Sequence, residues 1–186
     1  MDALSKGLYR FRGYILAVMG IALIAVPPGV HSLAALPLFL AGATLRIRAR
    51  QFIGSHTRGS KHEAESLVVD GPYACTRHPL YISNTLIALS AILFHLGTDL
   101  MAIPFAVAVI CFEAYLAHAE NRFLEKKFGD TWRAWTPSFG KCFKSRANAN
   151  ARPKRSFSRA FCDDWATWIW LLLYNLVLLS RKTFLS

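Results

Sequence analysis

One short segment carries most of the groups in this chain that could bind or react with a ligand. It reads Gly71-Pro72-Tyr73 and then, after three further residues, Arg77-His78-Pro79-Leu80-Tyr81, and it directly precedes the apolar run Ile82–Leu96. Proline suits the first turn of a helix, so Pro79 is expected to begin one, with the two preceding residues at its mouth. The free backbone amides and the positive dipole end of such a helix favour an anionic group such as a carboxylate. The segment therefore predicts a binding site.

A second polar segment, His118-Ala119-Glu120-Asn121-Arg122, follows the next apolar run, Met101–Ala117. The turn signal Gly97-Thr98-Asp99 separates the two apolar runs, which predicts a helical hairpin with its open ends side by side. Glu120 supplies the negative charge that the first polar segment lacks. We therefore expect the two polar segments to form one composite site.

The elements that position this site are predicted to lie in a membrane. Hydrophobic residues make up 54% of the 186 residues, and 22 Lys and Arg residues stand against 11 acidic ones. The basic residues flank apolar segments, as in membrane proteins. They form no soluble basic face with stacking aromatic residues, which disfavours nucleic-acid binding.

Five apolar segments predict an all-α integral membrane protein with four to five transmembrane helices, arranged as two hairpins plus a C-terminal apolar segment. They are Gly13–Val26, Ser32–Leu45, Ile82–Leu96, Met101–Ala117 and Trp165–Leu179. Pro27-Pro28-Gly29 is the predicted turn of the first hairpin, and Arg46–Tyr81 is interpreted as a polar surface connection. Residues 1–144 are assigned to a membrane domain, and residues 145–186 to a basic linker and a Trp-rich helix. That helix either spans the membrane or lies in its interface.

The distribution of basic residues predicts the orientation. The N-terminal region contributes 3 Lys and Arg residues, the connection 46–77 contributes 6 and the region 122–159 contributes 11, whereas the two hairpin turns contribute none. The positive-inside rule then places the N-terminus and both polar segments on the cytosolic face, in our interpretation that of a bacterial inner membrane. The basic linker Lys141–Arg159 is expected to attract anionic lipid head groups.

Disulfide and metal chemistry are both disfavoured by the sequence. Cys75, Cys111, Cys142 and Cys162 are widely spaced and form no CxxC pair, so we predict free thiols. The histidines show no metal-ligand spacing, and no metal site is predicted.

The ordered combination of these motifs resembles a known family. Gly71-Pro72-Tyr73, Arg77-His78-Pro79-Leu80-Tyr81, and then Glu120 followed by Phe123-Leu124 and Phe128-Gly129 are similar to the isoprenylcysteine carboxyl methyltransferases. The phospholipid methyltransferases are close relatives of that group of integral membrane enzymes. The resemblance covers residues 36–144, and the combination is more specific than any single motif.

The resemblance implies methyl transfer from S-adenosylmethionine to a lipid or lipid-linked acceptor, which could be a carboxylate, a phosphate or head group, or an amine. It implies a cofactor site at the cytosolic membrane face. The cofactor-binding residues expected from it are His78, Tyr81, Glu120, Tyr73 and Asn121. Arg77 is the candidate catalytic residue, because its guanidinium suits the carboxylate of the cofactor or an acidic acceptor.

The sequence departs from the family pattern at two places. The family usually has two adjacent acidic residues where this chain has Glu120-Asn121, and an asparagine can form hydrogen bonds but cannot neutralise a cation. The tyrosines expected after Phe128-Gly129 appear as Trp132 and Trp135, which keep the aromatic bulk without the hydroxyl. The missing acid motivates an alternative function, a non-catalytic membrane scaffold that binds a partner protein through its C-terminal region.

Overall fold

The computed structural model describes residues 3–30, 32–53, 66–135, 137 and 153–185. The regular structure in these residues is entirely α-helical, which confirms the predicted all-α class. The helices, in chain order, are α1 (Ala3–Ala25), α2 (Ala35–Ile53), α3 (Pro72–Cys75), α4 (Pro79–Leu96), α5 (Ala102–Phe128), α6 (Asp130–Ala134), α7 (Phe157–Cys162) and α8 (Trp165–Leu185).

The long helices have the length and surface of membrane helices. Among the described residues, Gly7–Ala25 of α1, all of α4 and all of α5 are long and apolar enough to cross a membrane, and Trp165–Ser180 of α8 is a shorter apolar segment. Large apolar side chains on α1 and α8 point away from the protein, such as Tyr14 at 73% and Trp170 at 72% exposure. Soluble monomers rarely expose continuous apolar faces of this kind. The protein is therefore an integral membrane protein whose outer faces contact lipid.

Helix α4 lies at the centre of the bundle. It packs between α2 and α5, while α1 packs on α5 and touches α4. Gly42 allows α2 to come close, because a Cβ atom there would lie 2.9 Å from Cγ1 of Ile87. The hydroxyl of Ser83 on α4 donates a hydrogen bond to the Gly42 carbonyl at 2.9 Å. Small residues and hydroxyl-to-backbone bonds are common means of joining membrane helices.

The two predicted hairpin turns interlock at the end of the bundle far from the first polar segment. The Gly29 amide donates to the His95 carbonyl at 2.9 Å, and Nε2 of His95 donates to the Val26 carbonyl at 2.9 Å. Gly97 has a φ of 63°, and a Cβ there would collide with the Val30 carbonyl oxygen. Glycine is needed here for both conformation and space. The first pair of helices is nevertheless not a tight hairpin, since α1 packs mainly on α5.

The prediction that Arg46–Tyr81 is a polar surface connection is wrong for its first part. Helix α2 continues to Ile53, and the side chains of Arg46 and Arg50 are only 12% and 11% exposed. Both pair with the buried Asp164, with Arg46 Nε 2.5 Å and Arg50 Nη2 3.0 Å from its carboxylate oxygens. The paired partner, 118 residues from Arg46, lets these arginines enter the protein interior. Residues 54–65 lie outside the described part of the chain.

Helix α8 runs alongside the bundle. Asp164, immediately before it, anchors its start to α2, and α7 also packs on α2. Nine residues into α8, the Tyr174 hydroxyl donates to the Gly20 carbonyl of α1 at 3.1 Å, and Leu178 is fully buried. An interfacial helix would lie across the bundle end, so these contacts favour the spanning alternative for the last apolar segment.

The cysteine prediction is partly wrong. Cys111 and Cys162 are free, but Cys75 at the end of α3 is disulfide-bonded, and Cys142 lies outside the described residues. Wide spacing along a sequence does not set distances in a fold, which is why the CxxC argument failed for Cys75. The predicted boundary at residue 144 and the centre of the basic linker fall outside the described residues.

Candidate functional site

Two sharp backbone features bring the first polar segment into place. Gly71 adopts a φ of 60° before Pro72 opens the single turn of α3, and a Cβ at Gly71 would lie 2.5 Å from the Phe52 ring. Tyr73 is thereby buried against Ala49 and Phe52 of α2. The chain then turns at Thr76 into α4, which Pro79 opens as predicted, with the preceding residue at its N-cap.

His78 and Asn121 join the two polar segments directly. The distance between Nε2 of His78 and Oδ1 of Asn121 is 2.8 Å, so the imidazole N–H donates to the amide oxygen. The ring of Tyr81, almost one turn further along α4, lies 5.5 Å from the His78 ring, measured between centroids. The open ends of α4 and α5 are therefore neighbours, as predicted.

Glu120 is the charged centre of the predicted set. Its carboxylate is within hydrogen-bonding range of the Tyr81 hydroxyl, and its charge acts on both His78 and Tyr73. Three of the predicted cofactor-binding side chains, those of His78, Tyr81 and Tyr73, thus interact with the half-buried carboxylate or with its neighbour Asn121. The structure brings the whole predicted set together.

Arg77 is held by Trp132 and Trp135. Its Nη2 donates to the Trp135 carbonyl at 2.7 Å, and its guanidinium carbon lies 4.6 Å from the centre of the Trp132 ring. The two indole rings contact each other edge to face at 5.0 Å. Cation–π contacts of this kind fix the plane of a guanidinium without neutralising it. Arg77 is therefore a positioned cation at the edge of the site.

Burial controls the protonation of the site. It lowers the pKa of His78 below the ordinary value of 6.5, with a smaller lowering by the Arg77 charge, and Glu120 and the bond to Asn121 only partly oppose this. Burial also raises the pKa of Tyr73, and the Glu120 charge adds to the rise. At neutral pH the site thus contains a neutral imidazole and a protonated phenol, both able to donate hydrogen bonds.

Three buried hydrogen-bond donors at this site have no partner among the residues that the structure describes. They are the Tyr73 hydroxyl, Nε of Arg77 and the indole nitrogen Nε1 of Trp135. A buried donor left unsatisfied costs about 1–3 kcal/mol, so such groups rarely gather without a reason. Together with the α4 N-terminus they suit a ligand rich in acceptor oxygen or nitrogen atoms.

The sequence interpretation missed contributions from α1 and from the bundle interior. The Glu120 charge acts on Tyr9. The guanidinium of Arg12 lies 4.0 Å from the centre of the Tyr9 ring and donates a hydrogen bond to the Tyr9 carbonyl at 3.0 Å. In the sequence these residues have only the pattern of aromatic and basic anchors near a membrane surface. Glu113, buried in α5, was also missed, because a single acid inside an apolar run forms no motif.

Comparison with known proteins identifies the family. A family model described as phospholipid methyltransferase matches residues 30–131, which is more than half of the chain and includes both polar segments. No curated protein and no solved structure shows a significant match. The match begins beside the interlocked turns and ends within α6, so it covers α2, α4, α5 and all the site residues predicted from the sequence, but not Trp132 and Trp135. The chain belongs to the phospholipid methyltransferase family, a family of membrane methyltransferases.

Proposed function

We propose that the protein transfers a methyl group from S-adenosylmethionine to a lipid or lipid-linked acceptor at the cytosolic face of the membrane. The observation that carries this proposal is the convergence of Glu120, the His78–Asn121 pair and the unsatisfied donors at the start of α4. These groups offer opposite charges and free hydrogen-bond donors in one half-buried place. Family membership supports the reaction type.

The residues at this site fit S-adenosylmethionine, whose methionine part carries a carboxylate and an ammonium group. The carboxylate would be held by Arg77 and by the first amides of α4, and the free donors on Tyr73 and Trp135 would complete its shell. Glu120 would accept from the ammonium group or from a ribose hydroxyl. Because His78 is neutral, it adds no positive charge to those of Arg77, the cofactor's ammonium group and its sulfonium. We therefore assign cofactor binding to the predicted set and retain Arg77 as its anion-binding member.

Methyl transfer from this cofactor requires little of the protein beyond the correct placement of cofactor and acceptor. S-adenosylmethionine, when bound, supplies a methyl group already activated on a positively charged sulfur. The protein has to align the acceptor with that methyl group and exclude water, and both effects follow from a site at the helix ends beside lipid-facing surfaces. Apolar acceptors would arrive along the exposed faces of the membrane helices.

Isothermal titration of the purified protein in detergent with S-adenosylmethionine tests the site. We expect binding by the wild type and a large loss in both His78→Ala and Glu120→Ala. His118→Ala and Glu125→Ala are matched controls, because both residues are exposed on α5 and should leave binding unchanged. Absence of binding by the wild type, or unaltered binding by both site variants, would sink the assignment.

A further inference from the structure

The side chain of Arg46 on α2 is held by three partners, one at each of its guanidinium nitrogens. Nε donates to Oδ2 of Asp164 at 2.5 Å, Nη2 to Oγ1 of Thr167 at 3.2 Å and Nη1 to Oδ1 of Asn84 at 2.5 Å. The Thr167 hydroxyl also donates to Oδ1 of Asp164 at 3.2 Å, so the start of α8 holds the guanidinium with two linked side chains. A planar guanidinium that is held at two nitrogens has a fixed third direction. The C-terminal part of the chain therefore sets where Nη1 of Arg46 points.

That direction fixes the side-chain amide of Asn84 on α4. An arginine can only donate hydrogen bonds, so it has to face the amide oxygen, and the NH2 group of Asn84 is turned to the other side. There the amide is within hydrogen-bonding range of the carboxylate of Glu113 on α5, a residue that is 2% exposed. A carboxylate accepts the N–H, so each end of the amide has the partner that its chemistry requires. Asp164, Arg46, Asn84 and Glu113 thus form a continuous polar relay.

The inner end of the polar relay lies below the proposed cofactor residues. Asn84 follows Tyr81 by three residues, so it lies about one turn of α4 deeper in the membrane and on the same side of the helix. Glu113 precedes Glu120 by seven residues, which places it about 10 Å deeper on nearly the same face of α5. An acceptor that arrives from the bilayer has to meet the methyl group from this side. The polar relay therefore ends at the acceptor side of the site.

The outer end of the polar relay lies beyond the region that matches the family. The family model ends at residue 131, before Asp164 and Thr167. Asp164 is 5% exposed and also accepts from Nη2 of Arg50 at 3.0 Å, so it lies within the protein and away from the cofactor residues. We propose that Asp164 is a positioning residue for methyl transfer, which acts through Arg46 and Asn84 on the orientation of the Glu113 carboxylate. The inference rests on the proposed function.

The first measurement separates turnover from cofactor binding. Full-length protein in nanodiscs of total membrane lipid is assayed with methyl-labelled S-adenosylmethionine, well below the unfolding midpoint of each variant. We expect Asp164→Asn to lower kcat roughly tenfold, as for coupling between side chains in one hydrogen-bonded network, and to leave cofactor affinity unchanged. Asp163→Asn is the matched control. It breaks the neighbouring ion pair with Arg155, which belongs to the same segment and does not include Arg46, so kcat should stay at the wild-type value.

The substitution Asn84→Asp separates positioning from attachment of the C-terminal helices. The new carboxylate still accepts from Arg46 but cannot donate to Glu113, so we expect kcat to fall roughly tenfold while stability is kept. In the double variant Asp164→Asn/Asn84→Asp the same carboxylate returns a counter-charge to Arg46. We expect stability to recover in part. The value of kcat should equal that of Asn84→Asp alone, because both substitutions interrupt the same relay.

Recovery of kcat together with stability in the double variant would show that Asp164 serves attachment only, and would overturn the proposal. Losses in kcat that multiply in the double variant, or a wild-type kcat in Asp164→Asn, would overturn it as well while methyl transfer stands. Cofactor binding without any labelled lipid would overturn methyl transfer itself, and with it this role. Should Asp164→Asn fail to fold, Thr167→Val replaces it in the same measurements, because it removes one partner of Arg46 and leaves the ion pair intact.

Discussion

The imidazole Nε2 of His78 and the side-chain oxygen of Asn121 lie 2.8 Å apart and form the direct bond between the first turn of α4 and the end of α5. Asn121, which stands where the resemblance leads us to expect a second acid, is thus the hydrogen-bond partner of His78. An amide at this position accepts the histidine N–H without adding charge, and burial lowers the pKa of His78 although Glu120 and the bond to Asn121 partly oppose it. The charge of the imidazole therefore depends mainly on burial and on Glu120 rather than on Asn121.

Restoring the second acid should change that charge. In Asn121→Asp the carboxylate still accepts from Nε2 but adds a negative charge, so we expect the pKa of His78 to rise by on the order of one unit or more. Titration of histidine-labelled protein by NMR in micelles measures this, and the exposed His118 serves as internal reference. An unchanged His78 titration would contradict the hydrogen bond.

The same lowered pKa predicts how stability responds to acid. Below the ordinary value of about 6.5 the unfolded imidazole binds a proton that the folded one resists, so the free energy of unfolding should fall as the pH falls through this range. Asn121→Asp should reduce that loss, because it raises the pKa of His78 in the folded state toward its value in the unfolded state. Chemical unfolding of both proteins at a series of pH values provides the comparison.

The ion pair of Asp164 with Arg46 and Arg50 should carry much of the attachment of α7 and α8. In Asp164→Asn two buried cations lose their counter-charge, which we expect to destabilise the protein by on the order of 3 kcal/mol. Burial alone would raise the pKa of Asp164, but the charge and hydrogen bonds of Arg46, together with Arg50, lower it overall. The stabilising effect is therefore present above the ordinary pKa of about 3.9 and is lost as the pH falls through the lower folded value.

Denaturant titration of Asp164→Asn against Asp130→Asn tests this expectation. Asp130 pairs with Arg133 on an exposed surface, and its loss should leave stability unchanged. Equal stability of the two variants at neutral pH would show that the buried pair does not fasten the C-terminal helices.

Arg77 should not be replaceable by lysine. An ammonium group cannot lie flat on Trp132, donate to the Trp135 carbonyl and keep a further donor for a ligand at the same time. We expect Arg77→Lys to bind S-adenosylmethionine roughly tenfold more weakly, equal to about 1.4 kcal/mol, by titration calorimetry. Arg133→Lys, at a 67% exposed side chain on α6, is the control. Wild-type affinity in Arg77→Lys would remove this residue from the site.

The run of α8 along the bundle predicts the membrane topology. Asp99 in the second hairpin turn and Ser180 near the end of α8 should lie on one side of the membrane, and Lys126 at the end of α5 on the other. Single cysteines at these positions, in a background from which the four native cysteines have been removed, are labelled in intact cells with an impermeant maleimide to measure this. Labelling of only the Lys126→Cys variant would contradict the proposed orientation. The disulfide of Cys75 gives this measurement particular weight, because disulfides are rare in the cytosol.

The sequence predicted the parts of this protein that depend on local pattern. Pro79 and the Gly97 turn define α4, and a short turn forces the ends of α4 and α5 together, so the meeting of His78 with Glu120 and Asn121 followed from topology. The pairing of Arg46 with Asp164 could not be predicted, because three closely spaced arginines indicate a polar surface connection when their partner lies 118 residues away in the sequence. The burial of Glu113 and the disulfide of Cys75 were not predicted for the same reason, since both depend on residues that are remote in the sequence.

The proposed methyl transfer to a lipid can be measured directly. Purified protein in nanodiscs of total membrane lipid is incubated with methyl-labelled S-adenosylmethionine, and the lipid fraction is counted and analysed by mass spectrometry. We predict a labelled lipid that carries one added methyl group in the wild type and is lost in both His78→Ala and Glu120→Ala, but not in His118→Ala. Unlabelled lipid from wild-type protein that binds the cofactor would contradict the account and leave the scaffold alternative as the better description.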